Sequence, residues 1–318
     1  MEVKNKLKDI PVERIGPNAD NPRIYFRQEE LDNLLISVKK HGIQVPISVY
    51  QDGDNYIIID GERRWRTSKK LNLKTIPAII QAKPSELENL LMMFNIHSLR
   101  EQWDLFTIAN KITKVIDLLA KSLNKAPNEI ELSEYTGLNR STIRRCKLLI
   151  ELPDKYKESI KKELEIPKSK QKLTEDFFIE MENSLKTVRR NFPEVVEDID
   201  QIRDNLISKY RKGIIKNLVD FRQIGKLATA HKNVQYEPAK SKRALLKVFA
   251  DNHSSIVDVY NSTVGSLYTE KRFISAIENT ILQIENLSDS ERKDPDVIDA
   301  LKRLTSSINQ ILDEYESI

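Results

Sequence analysis

The chain has 318 residues, 39% hydrophobic and 31% charged, with 52 Lys and Arg against 48 Asp and Glu. At roughly 100–200 residues per domain this allows two or three domains, with enough chain to bury a core unaided. The single cysteine, Cys146, excludes an internal disulfide and any multi-cysteine zinc site. The start, MEVKNKLKDI, holds no apolar signal-type run, and no stretch of about 18 apolar residues occurs, so the expectation is a cytoplasmic chain with no membrane span.

In chain order, residues 9–15 alternate apolar and polar as a short strand does, and GPNADNPR is turn chemistry. QEELDNLLISVKKHG places Leu31, Leu34, Leu35 and Val38 at helical spacing and closes on Gly42. VPISVY, QDGDN and YIIID read as strand, turn and strand, a hairpin over 45–60. GERRWRTSKKLNL is a helix, TIPAII a strand, and 85–99 and 104–122 are helical. The segment 128–152 reads as a helix-turn-helix, and IPKSKQK, 166–172, as a linker. Beyond it, helical periodicity covers 175–190, 194–210, 217–230, 241–249, 254–287 and 295–315. Only 8 glycines occur, five of them before residue 138, which fits turn-rich α/β structure in front and long helices behind.

The segment YIIIDGERRWRTSKKL, 56–71, runs an apolar strand through one glycine into a basic helix. A helix N-terminus has unsatisfied N–H groups and partial positive charge, which suits a phosphate. Gly61 lets backbone approach a ligand, and Arg63, Arg64 and Arg66 add planar donor forks. The plain alternative is a basic amphipathic helix after an ordinary turn. No GxxxxGK[ST] and no GxGxxG occurs, so neither a P-loop nor a Rossmann site is indicated.

GERRWRT resembles the GERRxRA box of ParB-type partition proteins. Upstream, SVKKHGIQVPISVY resembles that family's first box, and downstream LMMFNIHSLREQW resembles its third, before a helix-turn-helix. The resemblance spans roughly residues 9–160. It implies an α+β ParB/sulfiredoxin-like domain over 1–100, a helix-turn-helix domain over 101–167, and a helical region over 173–318 serving dimerisation. It also implies a CTP pocket with Mg2+ and a nucleotide-switched DNA clamp. Carried onto this chain, Gly42, Ile43 and Pro46 shape the base-side loop, and Gly61, Glu62, Arg63 and Arg64 hold the phosphates. Asn95 sits at the metal and Arg100 supplies the third-box arginine. The chain departs from the pattern at Phe94, where the family has glutamate, and in two extra residues between Asn95 and Arg100, with Glu101 as a substitute carboxylate. A phenyl ring offers a hard cation no ligand, so slow or absent CTP hydrolysis is expected. Sulfiredoxin chemistry needs a cysteine where Glu62 and Arg63 stand.

In NEIELSEYTGLNRSTIRRCKLLIELP, 128–153, Leu132 and Tyr135 are expected to pack from the first helix, with Gly137 at the turn and Asn139 capping the second. Ile143, Cys146 and Ile150 form one buried stripe at i, i+3, i+7. Arg140, Ser141, Thr142, Arg144, Arg145 and Lys147 face outward, where a recognition helix presents side chains to the major groove. Basic charge gathers here, with 10 basic and 5 acidic residues over 139–170. A helical hairpin with a wet basic face is the plain alternative.

His41, His97, His231 and His253 form no HExxH or Cys/His cluster. Asp60 at the strand end reads as a cap, and Trp103 and Phe106 as core. Stripes at 256–267 and 274–284 read as core or as a dimer seam. The resemblance implies a ParB-like DNA-binding protein, a CTP-gated clamp in plasmid or chromosome partition. Its expected partners are double-stranded DNA, a second copy as homodimer, and a ParA-type ATPase, hinted at by Lys4, Lys6 and Lys8. A weak CTPase, a ParB-like nuclease or nucleotidase of a mobile element, and a helix-turn-helix regulator with a vestigial pocket are the alternatives.

Overall fold

A computed structural model describes residues 6–19, 21, 28–98 and 104–316. The expectations for Arg100, Glu101 and Trp103 lie outside the described residues. The chain divides into two compact units, Met1–Ser184 and Leu185–Ile318.

In the first unit, β1 (Lys6–Pro11), β2 (Ile15–Gly16), β3 (Ile47–Asp52), β4 (Asn55–Asp60) and β5 (Thr75–Gln81) form a mixed sheet in the order β1-β5-β3-β4-β2. β3 and β4 are the expected antiparallel hairpin, and β1 pairs antiparallel with β5. The β3–β5 and β2–β4 pairs are parallel. Helix α1 (Gln28–His41) precedes the hairpin, α2 (Glu62–Lys70) follows it, and α3 (Glu86–Ser98) follows β5. Alternation buries one face: Ile10, Ile47, Val49, Ile58, Ile76 and Ala78 join Trp65 of α2 in one core. The expected strand over 9–15 is displaced, since β1 ends at Pro11 and a 3-10 turn covers Val12–Arg14. Trp65 Nε1 donates to Val12 O at 3.2 Å, which ties that turn to α2.

Helices α4 (Leu105–Leu123), α5 (Glu129–Thr136), α6 (Arg140–Ile150) and α7 (Asp154–Leu164) come next. The Asp104 carboxylate caps α4 by accepting from Thr107 N at 2.7 Å. Exposed residues around a 3-10 turn, Lys168–Lys170, occupy the expected linker before α8 (Glu175–Asn191).

The second unit is helical: α9 (Ile199–Arg211), α10 (Phe221–Asn233), α11 (Pro238–Ala250), α12 (Ile256–Tyr260), α13 (Ser266–Glu285) and α14 (Pro295–Glu316). A π-helical turn, Asn261–Gly265, joins α12 to α13, so the expected helix over 254–287 is nearly continuous. Neither α13 nor α14 has a buried described residue. Among the described residues no helix is long and apolar enough to cross a membrane.

Candidate functional site

The glycine between β4 and α2 is fixed by packing on both sides. Gly61 has φ +99°, which L side chains rarely adopt, and a Cβ there would lie 2.6 Å from Ile47 Cγ2. The N-cap of α2 is Gly61, which makes no side-chain cap, and a helix start of this kind offers first-turn N–H donors. Arg63 is partly exposed beside them.

Arg64 turns the other way. Its Nη1 donates to the carbonyl oxygens of Val45 and Pro46, both at 2.7 Å. Its Nη2 bonds Asp60 Oδ2 at 2.9 Å, with both side chains 17% exposed. Arg64 therefore straps the loop after α1, which holds Gly42, Ile43 and Pro46, to the first turns of α2. Asp60 is an ion-pair partner rather than a helix cap. The structure thus brings the first two boxes together through a side chain that the sequence reading gave to phosphate.

Glu62 is also engaged inside the protein. It is 7% exposed, and its Oε1 accepts from Arg66 Nε at 2.8 Å and Nη2 at 2.6 Å. Its Oε2 accepts from Asn21 Nδ2. Asn21 N in turn bonds Asn18 O at 3.0 Å, and Asn18 Nδ2 bonds Asn89 Oδ1 of α3 at 3.0 Å. This asparagine relay ties α3, ahead of the third box, to the start of α2. Sequence reasoning missed Asn18, Asn21 and Asn89; the turn signature NADN was the only signal available. The hydroxyl of Thr67, one turn into α2 from Arg63, is buried with no hydrogen-bond partner among the described residues.

Asn95 is exposed on α3, whereas Phe94 beside it is fully buried. The phenyl ring packs as a core residue. Among the described residues no group of three or more His, Cys, Asp or Glu could hold a metal ion. The donor set at Asn95 is one amide, so the residues described do not fit a protein-built magnesium site.

In the helix-turn-helix, Asn128 and Glu131 form a reciprocal capping box on α5, and Gly137 closes it in the left-handed region. Asn139 Oδ1 caps α6 by accepting from Thr142 N at 2.8 Å. Ile143 and Cys146 are buried as expected, but Leu149 is buried at 1% exposure while Ile150 is only partly covered. Tyr135 is 40% exposed, and Thr136 packs in its place. The covered face of α6, which meets α4 and α5, is wider than a single stripe. Burial pushes the Cys146 thiol up to about 12, which keeps it an unreactive core group.

Arg140, Ser141 and Arg144 are exposed at the start of α6, with Thr142, Arg145 and Lys147 partly covered. Three of the cations are paired within the unit. Arg144 Nε donates to Glu129 Oε2 at 2.8 Å, with Lys147 at 4.0 Å from the same carboxylate, and Arg145 pairs with Asp176. The Arg144 bond holds the Glu129 carboxyl below the usual carboxylate range. His41 and His253 are exposed and His231 packs edge-on to Phe192, none of them in a metal-ligating group.

The chain thus joins an α+β domain with a glycine-led helix to a helix-turn-helix. Residues 1–96 match the family model described as the ParB N-terminal domain. The chain is 34% identical over 154 residues to the chromosome-partitioning protein ParB of Myxococcus xanthus, covering 46% of this chain and 48% of the relative. It is 32% identical over 161 residues to the nucleoid occlusion protein of Geobacillus kaustophilus, covering 50% and 54%. The chain thus matches about half the length of these relatives. Among solved structures, Caulobacter crescentus ParB complexed to the centromeric parS site is 24% identical, covering 55% of this chain and 83% of that one, with a TM-score of 0.36. The pNOB8-like ParB N-domain is 15% identical, covering 72% and 88%, with a TM-score of 0.45.

Proposed function

We propose that this chain is a ParB-type DNA-binding protein of chromosome or plasmid partition. In this reading its N-terminal domain binds CTP and its α6 helix reads duplex DNA. The observation that carries the nucleotide half is the strap from Arg64 to Val45 and Pro46. It seats the loop of the first box against the uncapped N-terminus of α2, so a base and a phosphate chain have adjoining places. The α2 N–H groups and Arg63 would hold the phosphates, and Gly42, Ile43 and Pro46 the base side. Arg64 and Glu62 position these groups without reaching the nucleotide. Asn95, exposed on α3, is the further polar group this reading gives to the phosphate side, and nucleotide binding would favour closure of the N-terminal domains of two copies. Such closure requires tighter binding of nucleotide to the closed state.

The DNA half rests on α6, capped by Asn139 and presenting Arg140, Ser141 and Arg144 from its first turns. The exposed apolar residues of α13 and α14, Phe273, Ile274, Ile277, Ile308, Ile311 and Leu312, support a homodimer. A nucleoid- or plasmid-associated protein that works with a ParA-type ATPase is the physiological role in this reading. A titration of the full chain with CTP, GTP, ATP and UTP, with and without cognate duplex, tests it. Selective CTP binding strengthened by DNA is the expected result. Sequence-specific duplex binding with no nucleotide effect would instead make it a regulator whose pocket is vestigial.

A further inference from the structure

Helix α6 carries four cations, Arg140, Arg144, Arg145 and Lys147, and no carboxylate of its own. Two acids from other elements answer them. Glu129 is the first residue of α5, and Asp176 lies in the first turn of α8, so each sits where a helix start favours negative charge. Asn128 and Glu131 make the cap of α5, which leaves Glu129 to reach across to α6.

One carboxylate meets three of the cations. Arg144 Nε donates to Glu129 Oε2 at 2.8 Å, and Lys147 Nζ lies 4.0 Å from Oε1. Arg140 acts on the same group at longer range. Arg145 pairs through Nη2 with Asp176. Arg144 and Arg145 are 59% and 40% exposed, and pairs so open to water add little to stability. Covered by a duplex, the same charges interact in a lower effective dielectric and count for more. Their effect therefore falls on what α6 binds.

The atom engaged decides the direction of that effect. Glu129 takes the Nε edge of the Arg144 guanidinium. The Nη1–Nη2 end is left to grip the O6 and N7 acceptors of guanine. A base edge is neutral, so it and the carboxylate can share one guanidinium. A phosphate at the same guanidinium meets Glu129 as a like charge. The carboxylate also holds the side chain in place, which lowers the entropy lost when the fork closes on a base. Asp176 acts by occupancy: it holds an Nη of Arg145 that a phosphate would have to win from it.

We propose that Glu129 is a specificity-determining residue of this helix-turn-helix, which aims the Arg144 fork at base edges and, with Asp176, denies the α6 arginines to phosphates. The proposal rests on the reading that α6 enters the major groove. A helix with four unmasked cations would gain affinity for any duplex by counterion release, without reading bases.

The test uses the full chain with Glu129→Gln, Asp176→Asn and both together, and circular dichroism checks that the helices persist. A duplex that the parent selects from a randomised library is the specific probe, and a scrambled duplex of equal length is the random one. Each is titrated across a salt series. Glu129→Gln is expected to tighten the random duplex about threefold or more and to steepen its salt slope by about 1, as Arg144 turns to a phosphate. The specific duplex should gain less, so the ratio of the two affinities falls, and falls further in the double variant. In an Arg144→Ala background, Glu129→Gln should leave that ratio unchanged. Equal tightening on both duplexes, or an unchanged random-duplex slope, overturns the proposal. If Arg144→Ala alters binding to neither duplex, the reading of α6 fails as well. If Arg144→Ala narrows the preference while Glu129→Gln does not, the role of Glu129 alone falls.

Discussion

Arg64 and Pro46 stand 18 residues apart in sequence and are joined by a 2.7 Å hydrogen bond from guanidinium to carbonyl. The bond makes one arginine of the ERR sequence a structural strap, whereas its neighbour, Arg63, is partly exposed at the start of α2 with its Nε buried. Arg63→Ala is therefore expected to abolish CTP binding at unchanged melting temperature. Arg64→Ala removes the partner of two loop carbonyls and of Asp60, and should destabilise the N-terminal domain by about 1–3 kcal/mol as well as weaken binding. Thermal melts beside calorimetric titrations separate the two. Equal melting temperatures in both variants would refute the strap.

Glu129 restrains the arginine that α6 would offer to DNA. Glu129→Gln releases Arg144 and removes a negative charge from the basic face, so duplex binding should tighten, most at low salt. Arg144→Ala should weaken specific binding by about 1–3 kcal/mol if the side chain reads a base. Fluorescence anisotropy on specific and random duplexes checks both. No change in either variant on either duplex would turn this helix away from DNA.

Phe94 is the position where the resemblance and the packing disagree. A fully buried ring replaced by glutamate leaves a carboxylate in an apolar core, which the fold does not tolerate well. Phe94→Glu should therefore lose the cooperative thermal transition, and Phe94→Ala should cost about 3–5 kcal/mol. A folded Phe94→Glu variant that gains magnesium-dependent CTP turnover would show that the ring lines the pocket after all.

Lys209 is 1% exposed, and burial holds its ammonium below the ordinary lysine range while Asp251 pulls the other way. Between the lowered folded value and the unfolded value of about 10.4, the unfolded chain binds more protons. Stability therefore rises with pH through that window, and below it the full cost of the buried charge remains. Urea midpoints of the parent should climb from neutral toward about pH 10 relative to those of Lys209→Met. Parallel curves would mean that the amine carries no such cost.

The sheet and most helices were legible because apolar spacing follows period 2 or 3.6 wherever one face is buried. The hairpin at 45–60 and the capped helices α5 and α6 came through intact, since Asn128, Gly137 and Asn139 carry their instructions locally. What sequence could not show is direction. Arg63 and Arg64 are identical residues, and only the fold decides that one reaches back to Val45 while the other does not. Nor could spacing tell that Phe94 points inward, or that Asn18 and Asn89, 71 residues apart, meet as a buried pair. Long-range polar contacts leave no periodic trace.

The bare apolar faces of α13 and α14 have a consequence for how the protein melts. Isolated helices of 20 and 22 residues gain little from propensity alone in water. If a second copy covers them, their helicity and the assembly are one equilibrium, and its midpoint moves with protein concentration. Dilution would then unwind the C-terminal helices while the N-terminal sheet stays folded. The amount of protein in the cell would thus set how many copies are paired.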